Sequence, residues 1–224
     1  MFKYLILLVL INFSVCGREV VRIAYTHLVA SRGQFYVEEL KDIYERIGIS
    51  VESLNLPSPR GIYYFETNRV DALGIRIGSY DKFNPDAIKV NVPIFDKVGI
   101  REWVLKEDLE RVSKNKKNFV VSIRGDIAPK AYSKRMKIKV NHYSLDIQTA
   151  LQMLKKKRAD VLILTDIAVK VSGLYKILVP LNDRVLQDKL YHFIHKSKAH
   201  LLSQLEIEFR KSKKEGKFSL EVKK

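Results

Sequence analysis

One six-residue junction occurs twice in this chain, and it limits the folds open to it more than any other feature. Asn68-Arg69-Val70-Asp71-Ala72-Leu73 and Lys157-Arg158-Ala159-Asp160-Val161-Leu162 each set Arg-x-Asp between an amphipathic helical segment and an apolar strand-like one. Their aspartates lie 89 residues apart. The order strand, turn, helix, strand, helix, strand repeats around both copies, which predicts an α/β fold of two similar lobes with mainly parallel sheets.

The first lobe opens with Val20-Val21-Arg22-Ile23-Ala24-Tyr25, a β-branched run that reads as a buried strand. Phe35, Val37, Leu40, Ile43, Tyr44 and Ile47 then recur at helical spacing, with Gly48 as a helix-ending glycine. Ile49 to Leu56 alternates as a strand, completing a βαβ unit. Ser58 and Pro59 suit the cap and first position of the next helix.

The second lobe repeats the plan. Phe119 to Ile123 reads as a strand, Pro129 to Met136 as a helix and Ile138 to Val140 as a strand. Ser144 then caps a helix carrying Leu145, Ala150, Leu151 and Leu154 on its inner face. Lys189 to Ile194 and a helix over Ala199 to Phe209 return the chain to the first lobe. The expected division is residues 1–17 as a signal peptide, 18–98 with 189–224 as lobe 1, and 99–188 as lobe 2. Two crossings, near Val98 to Leu105 and Leu178 to Asp188, would form a hinge.

Met-Phe-Lys-Tyr followed by the apolar run Leu5 to Phe13, then Ser14, Cys16 and Gly17, has the layout of a secretory signal, too short to anchor in a bilayer. That predicts a periplasmic protein. With 46% hydrophobic and 29% charged residues in 224, the chain can bury a sizeable core. Its formal charge of +16 would suggest nucleic acid in a cytosolic protein, but export weakens that reading. Scattered lysines such as Lys114, Lys116, Lys117 and Lys155 to Lys157 instead read as a solvated surface, one that favours anionic ligands or envelope polymers.

Cys16 is the sole cysteine, so no internal disulfide or cysteine-based metal site is expected, and Phe13-Ser14-Val15 poorly suits lipidation of it. His192-x-x-His195 would point its two rings to opposite faces of a strand, so no metal site is expected there. No nucleophile motif or glycine-rich phosphate loop stands out. A monomeric binding protein that is not an enzyme and carries no cofactor follows as the expectation.

Leu56-Pro57-Ser58-Pro59-Arg60, the junction Asn68 to Ala72 with Arg76-Ile77, and Ile88 to Ile94 carry a resemblance. So do Leu151 to Leu154 with Arg158-Ala159-Asp160, and Leu190 to Lys196. In that order they resemble the bacterial extracellular (periplasmic) solute-binding proteins, family 3-like, with a type 2 periplasmic-binding fold. The resemblance implies two lobes closing on a small molecule for a membrane transporter or sensor. It also implies an arginine after the first Asp-containing strand for a ligand carboxylate, and an acidic residue after the second for an amine. This chain departs from the pattern: Ser79-Tyr80-Asp81-Lys82 replaces the usual Thr-x-x-Arg, and the amine position falls at Thr165 or Asp166.

The candidate ligand contacts are therefore Arg76, Tyr25, Thr26, Arg60, Arg124, Gly125, Thr165 and Asp166. Arg76 leads them, because an arginine at the end of an apolar strand needs an anionic partner, either a ligand or an internal carboxylate such as Asp71. A small polar or anionic ligand, amino-acid-like or an organic acid, is the expected occupant. A non-catalytic interaction protein with a vestigial cleft and a basic surface is the alternative.

Overall fold

The computed structural model describes residues 18–218; the expected signal peptide and Cys16 lie outside the described residues. Strand β1 (Val20–Tyr25) leads through α1 (His27–Arg32) and α2 (Gln34–Arg46) to β2 (Ser50–Asn55), and α3 (Ser58–Glu66) leads to β3 (Ala72–Ile77). After the short β4 (Ala87–Lys89), the long β5 (Phe95–Leu105) enters the second half. There α4 (Leu109–Lys114), β6 (Val120–Ile123), α5 (Ile127–Met136), β7 (His142–Ser144), α6 (Ile147–Lys155), β8 (Val161–Thr165) and α7 (Asp166–Val171) follow. The chain returns through β9 (Leu178–Pro180), the long β10 (Leu186–His195) and α8 (Leu202–Lys214).

The strands form one continuous path, β2-β1-β3-β10-β5-β8-β6-β7. Its outer arms, β2-β1-β3 and β8-β6-β7, are parallel, and the two long strands run antiparallel to them and to each other. Helices cover both faces of each arm. In the first arm α2 and α8 bury Leu40, Ile43, Leu205 and Phe209 on one side, while α3 sets Phe65 against Leu73 and Phe193 on the other. In the second, α6 buries Leu151 and Leu154, and α5 buries Ala128 and Tyr132 opposite.

The duplicated junction is a duplicated set of hydrogen bonds. Asn68 and Lys157 both take the left-handed conformation, at φ 54° and 56°. Arg69 and Val70 donate their amides to the Tyr64 carbonyl, and Arg158 and Ala159 donate theirs to Met153. Each aspartate then clamps the neighbouring strand: Asp71 accepts from the Arg22 amide at 2.9 Å, and Asp160 from the Phe119 amide at 2.8 Å. Each also holds an arginine, Arg22 at 2.9 Å and Arg111 at 2.8 Å. Arg-x-Asp is thus the device that stops a helix and fixes the register of the strand after it.

Four local expectations fail. Ser58 does not cap α3 but stands in its first turn, its hydroxyl donating to the Gly125 carbonyl at 2.8 Å. Ser144 belongs to β7, and Asp146 caps α6 by accepting from the Thr149 amide at 2.7 Å. The strand expected at Ile138 to Val140 lies instead at His142–Ser144, because β6 begins at Val120 and Asn141 is already bonded to it. Phe35 and Leu145, expected inside, are 39% and 70% exposed; Tyr36 takes the inner position on α2.

Replacing Asp71 or Asp160 with alanine leaves two donors unmet at the junction. Each change should lower unfolding free energy by about 1–3 kcal/mol in urea titration. Losses under about 0.5 kcal/mol at both sites would show that the junction only connects its neighbours.

Candidate functional site

The ends of β3 and β6 bring the strongest candidates to the seam between the halves. Arg76, the fifth residue of β3, donates from Nη1 to the Ile75 carbonyl at 2.7 Å, while its Nε is enclosed with no partner among the described residues. Some of its surface stays open to solvent, so the enclosed part is the base of the guanidinium. Asp71 is not its partner, for Asp71 stands at the far end of the strand, bonded to Arg22.

The carboxylate that faces Arg76 is Asp126, at the cap of α5, where it accepts from the Ala128 amide at 3.1 Å. Burial pushes the Asp126 carboxyl up and the Arg76 guanidinium down from their ordinary values; the charge of each works against the other's shift. They form no ion pair. Two opposite charges, both largely desolvated, are therefore held apart across the seam, an arrangement suited to a bridging polar or charged group.

Close backbone packing lies beside them. Gly125 has φ +72°, and a Cβ there would lie 2.7 Å from the Pro59 ring of α3. Glycine is required on both counts. The Ser58 hydroxyl on the Gly125 carbonyl fixes the contact, and Lys130 of α5 adds a cation–π contact over Phe83, 5.4 Å from the ring centre.

The remaining candidates divide. Tyr25 ends β1 with its hydroxyl enclosed and unpartnered and its ring laid on Gly74, where a Cβ would come within 2.4 Å. Thr26 and Thr165 cap α1 and α7, accepting from Val29 and Ala168 amides. Asp166 accepts from the Gly99 amide of β5 at 2.9 Å and from Ile167 at 2.8 Å, which ties the loop after β8 to the crossing strand. Arg60 and Arg124 are exposed. Arg124 lines an open concavity of about 510 Å³ with Lys130, His142 and Tyr143, on the second half.

Two residues escaped the sequence reading. Asp126 was visible only as part of a turn. Arg101 lies on β5 with an enclosed Nε that has no partner among the described residues, and its Nη2 and Asp166 Oδ2 both line the space over Gly99. A charge inside the apolar run Val98 to Val104 is the signal that marked Arg76 and could have marked Arg101. The segment replacing Thr-x-x-Arg serves another purpose: Ser79 donates to Asp188 at 3.2 Å and Asp81 pairs with Lys89 at 2.8 Å, fastening the turn after β3 to β10 and β4.

Behind the site, the Gly74 carbonyl accepts from both the Tyr36 hydroxyl and His192 Nδ1, and Tyr44 donates to His192 Nε2 at 2.8 Å. That pattern requires neutral His192 with its proton on Nδ1. His192 stacks on Phe209, while His195 meets Phe65 on the other face of β10.

No protein-family model and no curated protein matches the chain in sequence. Solved structures do match. A mutant of ArgBP from T. maritima superposes with a TM-score of 0.70 at 20% identity, over 90% of this chain and 92% of that one. An amino acid ABC transporter substrate-binding protein from Streptococcus pneumoniae, bound to L-arginine, gives 0.71 at 14% identity, over 89% and 91%. A histidine kinase sensor domain with similarity to periplasmic binding proteins gives 0.70 at 16%, over 90% and 93%. The chain has the two-lobed type 2 periplasmic-binding fold.

Two measurements follow. Burial holds His192 at about 4 against 6.5 unfolded, so its neutral form favours the fold above pH 6.5 and that stability drains away as pH falls toward 4. The loss is about 3 kcal/mol, and His192→Gln should flatten that part of the pH–stability curve. Gly125→Ala should push α5 from Pro59 and raise the radius of gyration in small-angle scattering; an unchanged radius would mean that this contact does not set the lobe spacing.

Proposed function

We propose that this protein binds a small polar or anionic solute between two lobes, residues 18–98 with 189–224 and residues 99–188, and hands it to a membrane transporter or sensor. The observation that carries the reading is Arg76: a guanidinium at the end of a central strand, enclosed at Nε, unpaired, and facing Asp126 across the seam. A carboxylate on Arg76 would replace the water it has lost, in the planar geometry that guanidinium prefers.

A ligand bearing an amine as well would find Asp126 opposite, with Asp166 and Arg101 further along the crossing strand. An amino-acid-like molecule or an organic acid fits these charges, in line with the L-arginine bound by the Streptococcus pneumoniae protein. Closing and opening would turn on β5 and β10, the two strands shared by both halves. Export through residues 1–17, a monomeric state and the absence of catalysis complete the proposal.

The second reading, an interaction protein whose cleft is idle, draws on the contacts that already join the halves, Ser58 with Gly125 and Lys130 over Phe83.

Native mass spectrometry of protein purified gently from the cells that make it separates the two. An added small-molecule mass, lost in Arg76→Ala and weakened in Asp126→Asn, is expected. Bare protein, together with no heat in calorimetric titration against amino acids and organic acids, would move the weight to the idle cleft. Trp103, on β5 with its indole bonded to the Leu164 carbonyl at 3.2 Å, should report closure by a change in fluorescence.

A further inference from the structure

Between Asp126 and Asp146 the chain carries Lys130, Lys134, Arg135, Lys137 and Lys139 and no acidic residue, and all five are exposed. Some exposed lysines elsewhere find carboxylates, as Lys114 does with Glu110, Lys157 with Asp108 and Lys211 with Glu208, while others such as Lys116, Lys117 and Lys155 find none among the described residues. Here none of the five has a salt-bridge partner among the described residues.

The fold gathers them on one margin. Helix α5 runs out through Lys134 and Arg135 to Lys137, whose left-handed backbone at φ 55° turns the chain back toward β7. Strand β7 ends the sheet and, among the described residues, pairs only with β6. Tyr143 on that strand is 43% exposed, and Leu145 just beyond it is 70% exposed.

We propose that this margin docks on an anionic phospholipid bilayer, with the cations against lipid phosphates and Tyr143 and Leu145 in the headgroup layer. Unpaired cations alone would fit any polyanion. The exposed tyrosine and leucine beside them select the bilayer, because a surface that offers both charge and an apolar boundary satisfies both kinds of side chain. A nucleic acid or soluble polymer would leave Leu145 in water. The inference stands apart from the cleft and survives if the cleft is idle.

Cosedimentation of the full chain with vesicles tests it, using phosphatidylcholine alone and phosphatidylcholine mixed with phosphatidylglycerol. Binding to the anionic vesicles that falls with added salt is expected, and about ten-fold weaker binding to neutral ones. Reversing Lys134, Arg135 and Lys137 to Glu together should lose about ten-fold, while the same reversal at Arg32, Lys41 and Lys214 of the other half stays within about two-fold. Leu145→Ser should weaken binding and keep its salt dependence. Circular dichroism establishes that each variant is folded.

Equal loss from both triple reversals would overturn the proposal in favour of net charge. Equal binding to neutral vesicles would overturn it in favour of the apolar N-terminal run. Full competition by single-stranded nucleic acid with no effect of Leu145→Ser would make the margin a polyanion site instead.

Discussion

The antiparallel pairing of β5 with β10 is the constraint on which the rest of the molecule depends. Both strands are longer than one lobe needs. The early part of β5 pairs with β10 and its later part with β8 and β9; β10 begins on β5 and ends on β3 and β4. Neither half can move without twisting these two strands. Their weak point is visible, for the register slips between Asp188 and Leu190, and Gly99 stands opposite Gln187 with no side chain of its own. Two carboxylates brace that region, Asp166 on the Gly99 amide and Asp188 on Ser79. A rotation there would carry along the loops that follow β8 and β3, which is where a ligand would feel it.

Arg76 and Asp126 make sense only against that frame. Enclosing an unpaired charge is costly, and the simplest relief would be for the two to meet as an ion pair. The Gly125 backbone packs on the Pro59 ring and the Ser58 hydroxyl bonds its carbonyl, so the loop before α5 is tied to α3. On the other side of β3, Gly74 has surrendered its side-chain volume to Tyr25 and its carbonyl to Tyr36 and His192. The strand that presents Arg76 is therefore fixed from behind by aromatic rings and cannot retreat.

Much of this was legible in the sequence wherever the cause is local. β1 is a β-branched run broken by one arginine and β8 a continuous apolar run, the Arg-x-Asp repeat announced two like halves, and Arg76 stood out as a charge in an apolar strand. Cap assignments failed where a distant partner claimed the side chain: Ser58 is taken by Gly125, and Ser144 by the sheet. Leu145 and Phe35 misled because helical periodicity gives a face without its phase when neighbouring residues are also apolar. That Arg76 faces Asp126 rather than Asp71 could not be read at all, since proximity along a strand says nothing about which end of it a charge occupies.

The charge of +16 and the enclosed groups act on different scales. Surface lysines attract any anion, but salt screens them within about 8 Å, so they can raise encounter rates without telling one anion from another. Discrimination needs groups from which water has been removed, because only there does an unmatched charge or hydrogen bond cost enough to reject the wrong molecule. Among the candidates, the groups that meet this condition are Arg76, Asp126, Arg101 and the Tyr25 hydroxyl. Arg60 and Arg124, exposed on either side, do not. If this chain selects a ligand, the selection resides in groups of that kind and not in its exposed lysines.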